Sequence, residues 1–147
     1  MRIEYSPIKK KVGINQDMAT MDSCDHIEPS LKILTKSKNL ASHFKRILEA
    51  NGYGLDWYRN YPSFLENTGR TPVKAVFLDA EVVRESGSKI YEEIKKISSK
   101  LAIVLLHKES DRDLVKEAMG KGVYGCIRAP YEDWEILKMA AFLATRQ

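Results

Sequence analysis

From Leu31 onward, short apolar runs alternate with longer stretches in which apolar residues recur at every third or fourth position. The first run, "LKILTK" (Leu31–Lys36), predicts a strand. "NLASHFKRILEANG" then sets Leu40, Phe44, Ile47 and Leu48 at helical spacing, with Gly52 placed to end the helix. "YGLDWYRN" (Tyr53–Asn60) alternates loosely and predicts a second strand. "YPSFLENTG" predicts a short helix with Pro62 in its first turn, where the missing N–H has no helical partner to lose. "VKAVFLD" (Val73–Asp79) is the third strand, and "SKIYEEIKKIS" puts Ile90, Ile94 and Ile97 on one helical face. "LAIVLL" (Leu101–Leu106) is apolar at every position, the pattern of a strand covered on both sides. "SDRDLVKEAMGKG" predicts a fourth helix with Ser110 as its N-cap and Gly122 as its stop. "YGCI" is the fifth strand. "YEDWEILKMAAFLATR" is the last helix, with Trp134, Leu137, Met139, Ala141 and Phe142 expected toward the core.

Strands that alternate with amphipathic helices imply right-handed crossovers and a parallel sheet covered on both faces. The expected fold is therefore α/β, a flavodoxin-like (βα)5 doubly wound sheet of order 2-1-3-4-5 in three α/β/α layers. The expected domain is residues 31–147. Residues 1–30 differ: "KKKVGINQDMATMDSCDHIEPS" is polar and without a sustained period, and reads as a mostly irregular extension.

Composition narrows the class without naming a function. Hydrophobic residues at 44% and charged residues at 30% suit a globular domain of 147 residues, long enough to bury a core. No apolar run approaches the roughly 20 residues of a membrane span, and the N-terminus has no apolar signal core. The two cysteines, Cys24 and Cys126, form no zinc-type cluster and read as free thiols of a cytoplasmic protein. The net charge of +4 describes a lysine-rich surface. Lys9–Lys11 read as part of a solvated arm, and no direct nucleic-acid contact is expected.

Function in such sheets sits at the carboxyl ends of the strands. Those ends are Thr35/Lys36, Asn60, Asp79, His107 and Arg128/Ala129. A lone aspartate such as Asp79 commonly just caps a strand end. The segment "GVYGCIRAPY" (Gly122–Tyr131) gives it a context. With Asp79 ending the third strand and with the helix length before Gly122, the chain resembles a response-regulator receiver domain from about Leu31 to Arg146.

That resemblance implies a phosphoacceptor at Asp79. It also implies two acidic residues after the first strand to hold Mg²⁺, a Thr or Ser ending the fourth strand, and a Lys before a cis proline. Here the acidic pair falls at Thr35 and Lys36, and no nearby register supplies an acid. The Thr/Ser position falls at His107 and the Lys position at Ala129, before Pro130, where a cis bond is expected. The aromatic switch position falls at Cys126, which reads as a small apolar strand residue. Asp79 thus reads as a vestigial phosphoacceptor in a degenerate site, without metal or cofactor. Lys36, Lys38 or His107 is expected to hold its carboxylate.

The expected function is a non-enzymatic, phosphorylation-independent regulatory module of a signalling or transcription-regulatory protein. Its expected partners are an output domain or a second copy, paired through the fourth helix, fifth strand and fifth helix, as the resemblance implies. Two alternatives stand beside it: a divergent receiver phosphorylated on Asp79 by a histidine kinase, and a small-molecule-binding flavodoxin-like domain. The last would bind without a Gly-rich phosphate loop, since "TKSKNLAS" holds no glycine.

Overall fold

The computed structural model describes residues 31–68 and 73–145. The expected N-terminal extension, with Lys9–Lys11 and Cys24, lies outside them. Five parallel strands form one sheet: β1 (Leu31–Leu34), β2 (Leu55–Tyr58), β3 (Ala75–Asp79), β4 (Ala102–His107) and β5 (Gly125–Arg128). Their order is β2-β1-β3-β4-β5, the doubly wound arrangement expected from the alternation. The helices are α1 (Lys38–Ala50), α2 (Tyr61–Thr68), α3 (Ala80–Ser86), α4 (Lys89–Ile97), α5 (Arg112–Gly120) and α6 (Asp133–Thr145).

The strands' period of two splits the core into two layers. One holds Ile33, Phe77 and Val104 against α1, through Phe44, Ile47 and Leu48, and against α6, through Ile136, Ala140 and Leu143. The other holds Leu34, Leu78 and Leu105 against Phe64 of α2, Val82 and Val83 of α3, Ile90 and Ile94 of α4, and Leu114 and Ala118 of α5. Register places Leu34 beside Leu78, Asp79 beside Leu106, and His107 beside Arg128. The strand ends therefore share one edge of the sheet. The order reverses between β1 and β3, which opens the crevice where Asp79 lies.

Four local features correct or add to the sequence reading. First, an additional helix, α3, follows β3 directly. Asp79 is its N-cap, and its side chain accepts from the Glu81 N–H. Gly87, at φ 89°, ends it in a conformation that favours glycine. Second, α5 begins at Arg112 rather than just after Ser110, because a 3₁₀ turn at Glu109–Asp111 precedes it. Asp111, not Ser110, makes the side-chain bond there, to the Lys108 N–H.

Third, Trp134 and Phe142 are 63% and 52% exposed, and Ala141 is exposed. Helix α6 is apolar on most sides, but the sheet covers the stripe Ile136–Ala140–Leu143, with Leu137 and Met139 half-buried against it as expected, opposite those residues. Fourth, Lys32 in β1 is buried, at 1% exposure. Its Nζ donates to Asp56 Oδ2 and to Tyr58 Oη, each at 3.1 Å, and lies 5.0 Å from the Tyr58 ring centroid. An unpaired ammonium there would carry a large desolvation cost, and these partners offset it.

Candidate functional site

Asp79 leaves the sheet at the end of β3, half-buried, with its two carboxylate oxygens differently bound. Oδ1 accepts the Glu81 N–H at 3.0 Å. Oδ2 accepts the Thr35 hydroxyl at 2.5 Å. Thr35 follows β1, and its side chain is fully buried. Three further bonds hold it in place. Its N–H donates to the Tyr58 carbonyl at 3.1 Å, its carbonyl accepts the Trp57 indole N–H at 2.8 Å, and its Oγ1 accepts the Ser37 N–H at 3.0 Å. Because Oγ1 already accepts from Ser37, its one proton is directed at Asp79. The carboxylate is thus held by a neutral hydroxyl and a backbone N–H.

The three expected partners do not make that bond. Lys36 reaches away to Glu85, Nζ to Oε1 2.7 Å, across an exposed surface. Lys38 is exposed in the first turn of α1. His107 ends β4, and its ring Nδ1 faces the Lys108 carbonyl at 3.3 Å. The carbonyl of His107 is the more structured part: it accepts the Ala129 N–H at 2.8 Å and the Tyr131 hydroxyl at 3.3 Å. The Ala129–Pro130 peptide bond is cis. The loop that follows is tied to α1, since His43 Nε2 donates to the Tyr131 carbonyl at 2.9 Å.

A cavity of about 510 Å³ opens above Asp79. Ser37, Glu81, His107, Lys108 and Tyr131 line it. Arg84 of α3 crosses its rim, donating to Asp111 Oδ1 at 2.9 Å and to Asp113 Oδ1 at 3.1 Å. Burial works against the charge of Asp111, yet the Lys108 N–H and the Arg84 guanidinium hold its carboxyl below the usual range. Arg84 is raised in turn, first by its bond to Asp113 and then by Asp111. The Tyr131 hydroxyl is pushed up, first by burial and then by the charges of Asp79 and Asp111. Sequence reasoning missed this clasp. Arg84 and Asp111 are 27 positions apart, and only the docking of α3 beside the β4–α5 turn brings them together.

The donor set does not make the oxygen cage that Mg²⁺ takes. The residues that follow β1 are Thr35, committed to Asp79, and Lys36, committed to Glu85. Asp111 has both oxygens occupied, by Arg84 and by the Lys108 N–H. Among the described residues no cluster of three or more His, Cys, Asp or Glu is placed to hold a metal. Cys126 packs against the layer that holds Leu105, Leu114 and Ala118, and burial pushes its thiol up.

A doubly wound five-stranded sheet with an aspartate at the end of its middle strand defines a receiver-type α/β domain. Residues 33–141 match the response regulator receiver domain, and the chain belongs to that family. No match was found among curated proteins. Solved structures share the fold at low identity. A putative response regulator from Chloroflexus aurantiacus J-10-fl has TM-score 0.71 and 15% identity, over 81% of this chain and 100% of that one. The receiver domain of NtrX from Brucella abortus has TM-score 0.70 and 20% identity, over 79% of this chain and 99% of that one. Full-length FixJ from B. japonicum has TM-score 0.70 and 19% identity, over 80% of this chain. The matched region spans 58% of FixJ, so the similarity stops short of the rest of that protein.

Proposed function

We propose that this receiver domain regulates by protein contact and does not run a cycle of phosphorylation on Asp79. The observation that carries the reading is the Thr35 hydroxyl on Asp79 Oδ2, where a working receiver presents acids to a metal. Phosphorylation would add a charge of about −1.5 to −2 at that carboxylate. Glu81 and Asp111 already line the cavity, and Ala129 offers no cation. Arg84 is engaged by Asp111 and Asp113. Lys108 also lines the cavity, but a lone lysine with no acid pair to hold a bridging metal leaves a phosphoryl group there under-compensated, so the transfer equilibrium would favour the free aspartate.

The partner face follows from what is left uncovered. The exposed large apolar residues among those described are Met119, Tyr124, Trp134 and Phe142. All four belong to α5, the turn into β5, or α6. Such a concentration on one flank fits a docking surface for a second copy or an output domain. In this reading the chain is a non-enzymatic module of a cytoplasmic signalling or transcription-regulatory protein.

The test is incubation with acetyl phosphate and Mg²⁺, followed by intact mass. No added phosphoryl group is expected. A Mg²⁺-dependent gain of one phosphoryl group, absent in Asp79→Asn, would establish the alternative, a divergent receiver served by a histidine kinase.

A further inference from the structure

The cavity above Asp79, of about 510 Å³, lies within the roughly 300–1,000 Å³ of sites that hold small molecules. Its charges are divided between two walls. The β3–α3 junction supplies Asp79 and Glu81, and the turn after β4 supplies Lys108 and Ser110. Among the described residues no cation pairs with Asp79 or Glu81, and no carboxylate pairs with Lys108. Arg84 and Asp111 line the cavity too, but they satisfy one another.

Asp79 keeps room for a further donor. An ionised carboxylate offers about four acceptor positions. The Thr35 hydroxyl occupies one on Oδ2 and the Glu81 N–H one on Oδ1, which leaves about one on each oxygen. Glu81 adds a second carboxylate on the same wall. On the other wall the Ser110 hydroxyl has no hydrogen-bond partner among the described residues, and with the Lys108 ammonium it makes a pair of donors. Leu40, Leu106 and Tyr131 give the lining its apolar part.

A plain cation would meet Lys108, and a plain anion would meet Asp79 and Glu81, so neither suits the whole lining. We propose that the cavity binds a small zwitterion with an apolar side chain, namely a free amino acid. Its ammonium, with three donors, meets Asp79 and Glu81. Its carboxylate meets Lys108 and the Ser110 hydroxyl. Its side chain lies against Leu40, Leu106 and Tyr131. Such a ligand has no net charge and needs no metal to hold it. This rests on the reading of Asp79 as unphosphorylated and names the signal that stands in the phosphoryl group's place.

The experiment is a thermal-shift screen of the full chain with each common L-amino acid at millimolar concentration. A saturable rise in Tm is expected with apolar amino acids. The amino acid that raises Tm most is then titrated by calorimetry. Its methyl ester, which lacks the carboxylate, and its N-acetyl form, which lacks the ammonium, are each expected to bind about tenfold or more weakly. Glu81→Gln and Lys108→Met are each expected to weaken binding of the free amino acid by about tenfold. Circular dichroism confirms that both variants are folded. Inorganic phosphate alone is expected to bind more weakly than the amino acid.

If no amino acid raises Tm, or if the blocked forms and the variants bind as tightly as the parent pair, the zwitterion is overturned. Phosphate that binds as tightly as the amino acid overturns it too and marks an anion site. The same protein is incubated with acetyl phosphate and Mg²⁺ and its intact mass is measured. An unchanged mass beside a failed titration overturns the ligand and leaves the reading of Asp79 standing. A phosphoryl group gained at Asp79 overturns both, because the ligand's ammonium and the phosphoryl group need the same oxygens.

Discussion

Replacing Thr35 by valine keeps the shape of a fully buried side chain and removes one oxygen. That oxygen donates to Asp79 Oδ2 at 2.5 Å and accepts the Ser37 N–H at 3.0 Å. A hydrogen bond to a charged group contributes about 1.5–3 kcal/mol net. Asp79 is half-buried and faces the cavity, so water can replace part of what is lost, which favours the lower end. We expect Thr35→Val to cost about 1.5–2 kcal/mol at neutral pH. For a domain near this size that is a fall in Tm of roughly 3–8 °C. Urea unfolding followed by tryptophan fluorescence measures it. Thr35→Ser keeps the hydroxyl and should recover most of the loss. In an Asp79→Asn background the same Thr35→Val change should cost less, with a coupling of about 1 kcal/mol. A Thr35→Val protein within about 0.5 kcal/mol of wild type, or a coupling near zero, would refute the claim that this hydroxyl holds Asp79.

Two further outcomes follow from the ionisable groups. The Asp111 carboxyl is held below its ordinary range in the folded state, so it contributes stability above about pH 4 that is lost as pH falls through its lowered value. The stability gap between wild type and Asp111→Asn should therefore be widest near neutrality and shrink as pH falls below about 4 in paired urea titrations; a gap that stays constant on acidification refutes the role of the ion pair with Arg84. The Cys126 thiol is raised by burial, so in a Cys24→Ser background its alkylation by iodoacetamide at neutral pH should run well below the rate of free glutathione. A rate equal to glutathione's removes Cys126 from the layer that holds Leu105, Leu114 and Ala118.

Periodicity was enough to read the five strands and five of the six helices among the described residues. Apolar strands such as "LAIVLL" need cover on both faces, and helices of one apolar stripe supply it, so strand order and the position of Asp79 at the crevice were legible from spacing. The absence of acids after β1 is likewise a matter of residue identity, and no arrangement of the chain alters it. What lay beyond the sequence depends on which long-range neighbours meet. Two lysines and a histidine were close enough in the chain pattern to serve Asp79, yet the nearest donor in space is Thr35, because the strand turns it inward and sends Lys36 out to Glu85. Lys32 has no partner legible in the sequence, and its partners appear only when β2 brings Asp56 and Tyr58 beside it. Trp134 and Phe142 read as core because α6 is apolar on most sides. Only docking against the sheet decides which stripe is covered, since one helix can bury one face while the rest remains for solvent or a partner. Local pattern determines elements and their order; side-chain partners across the fold depend on packing, which no local window contains.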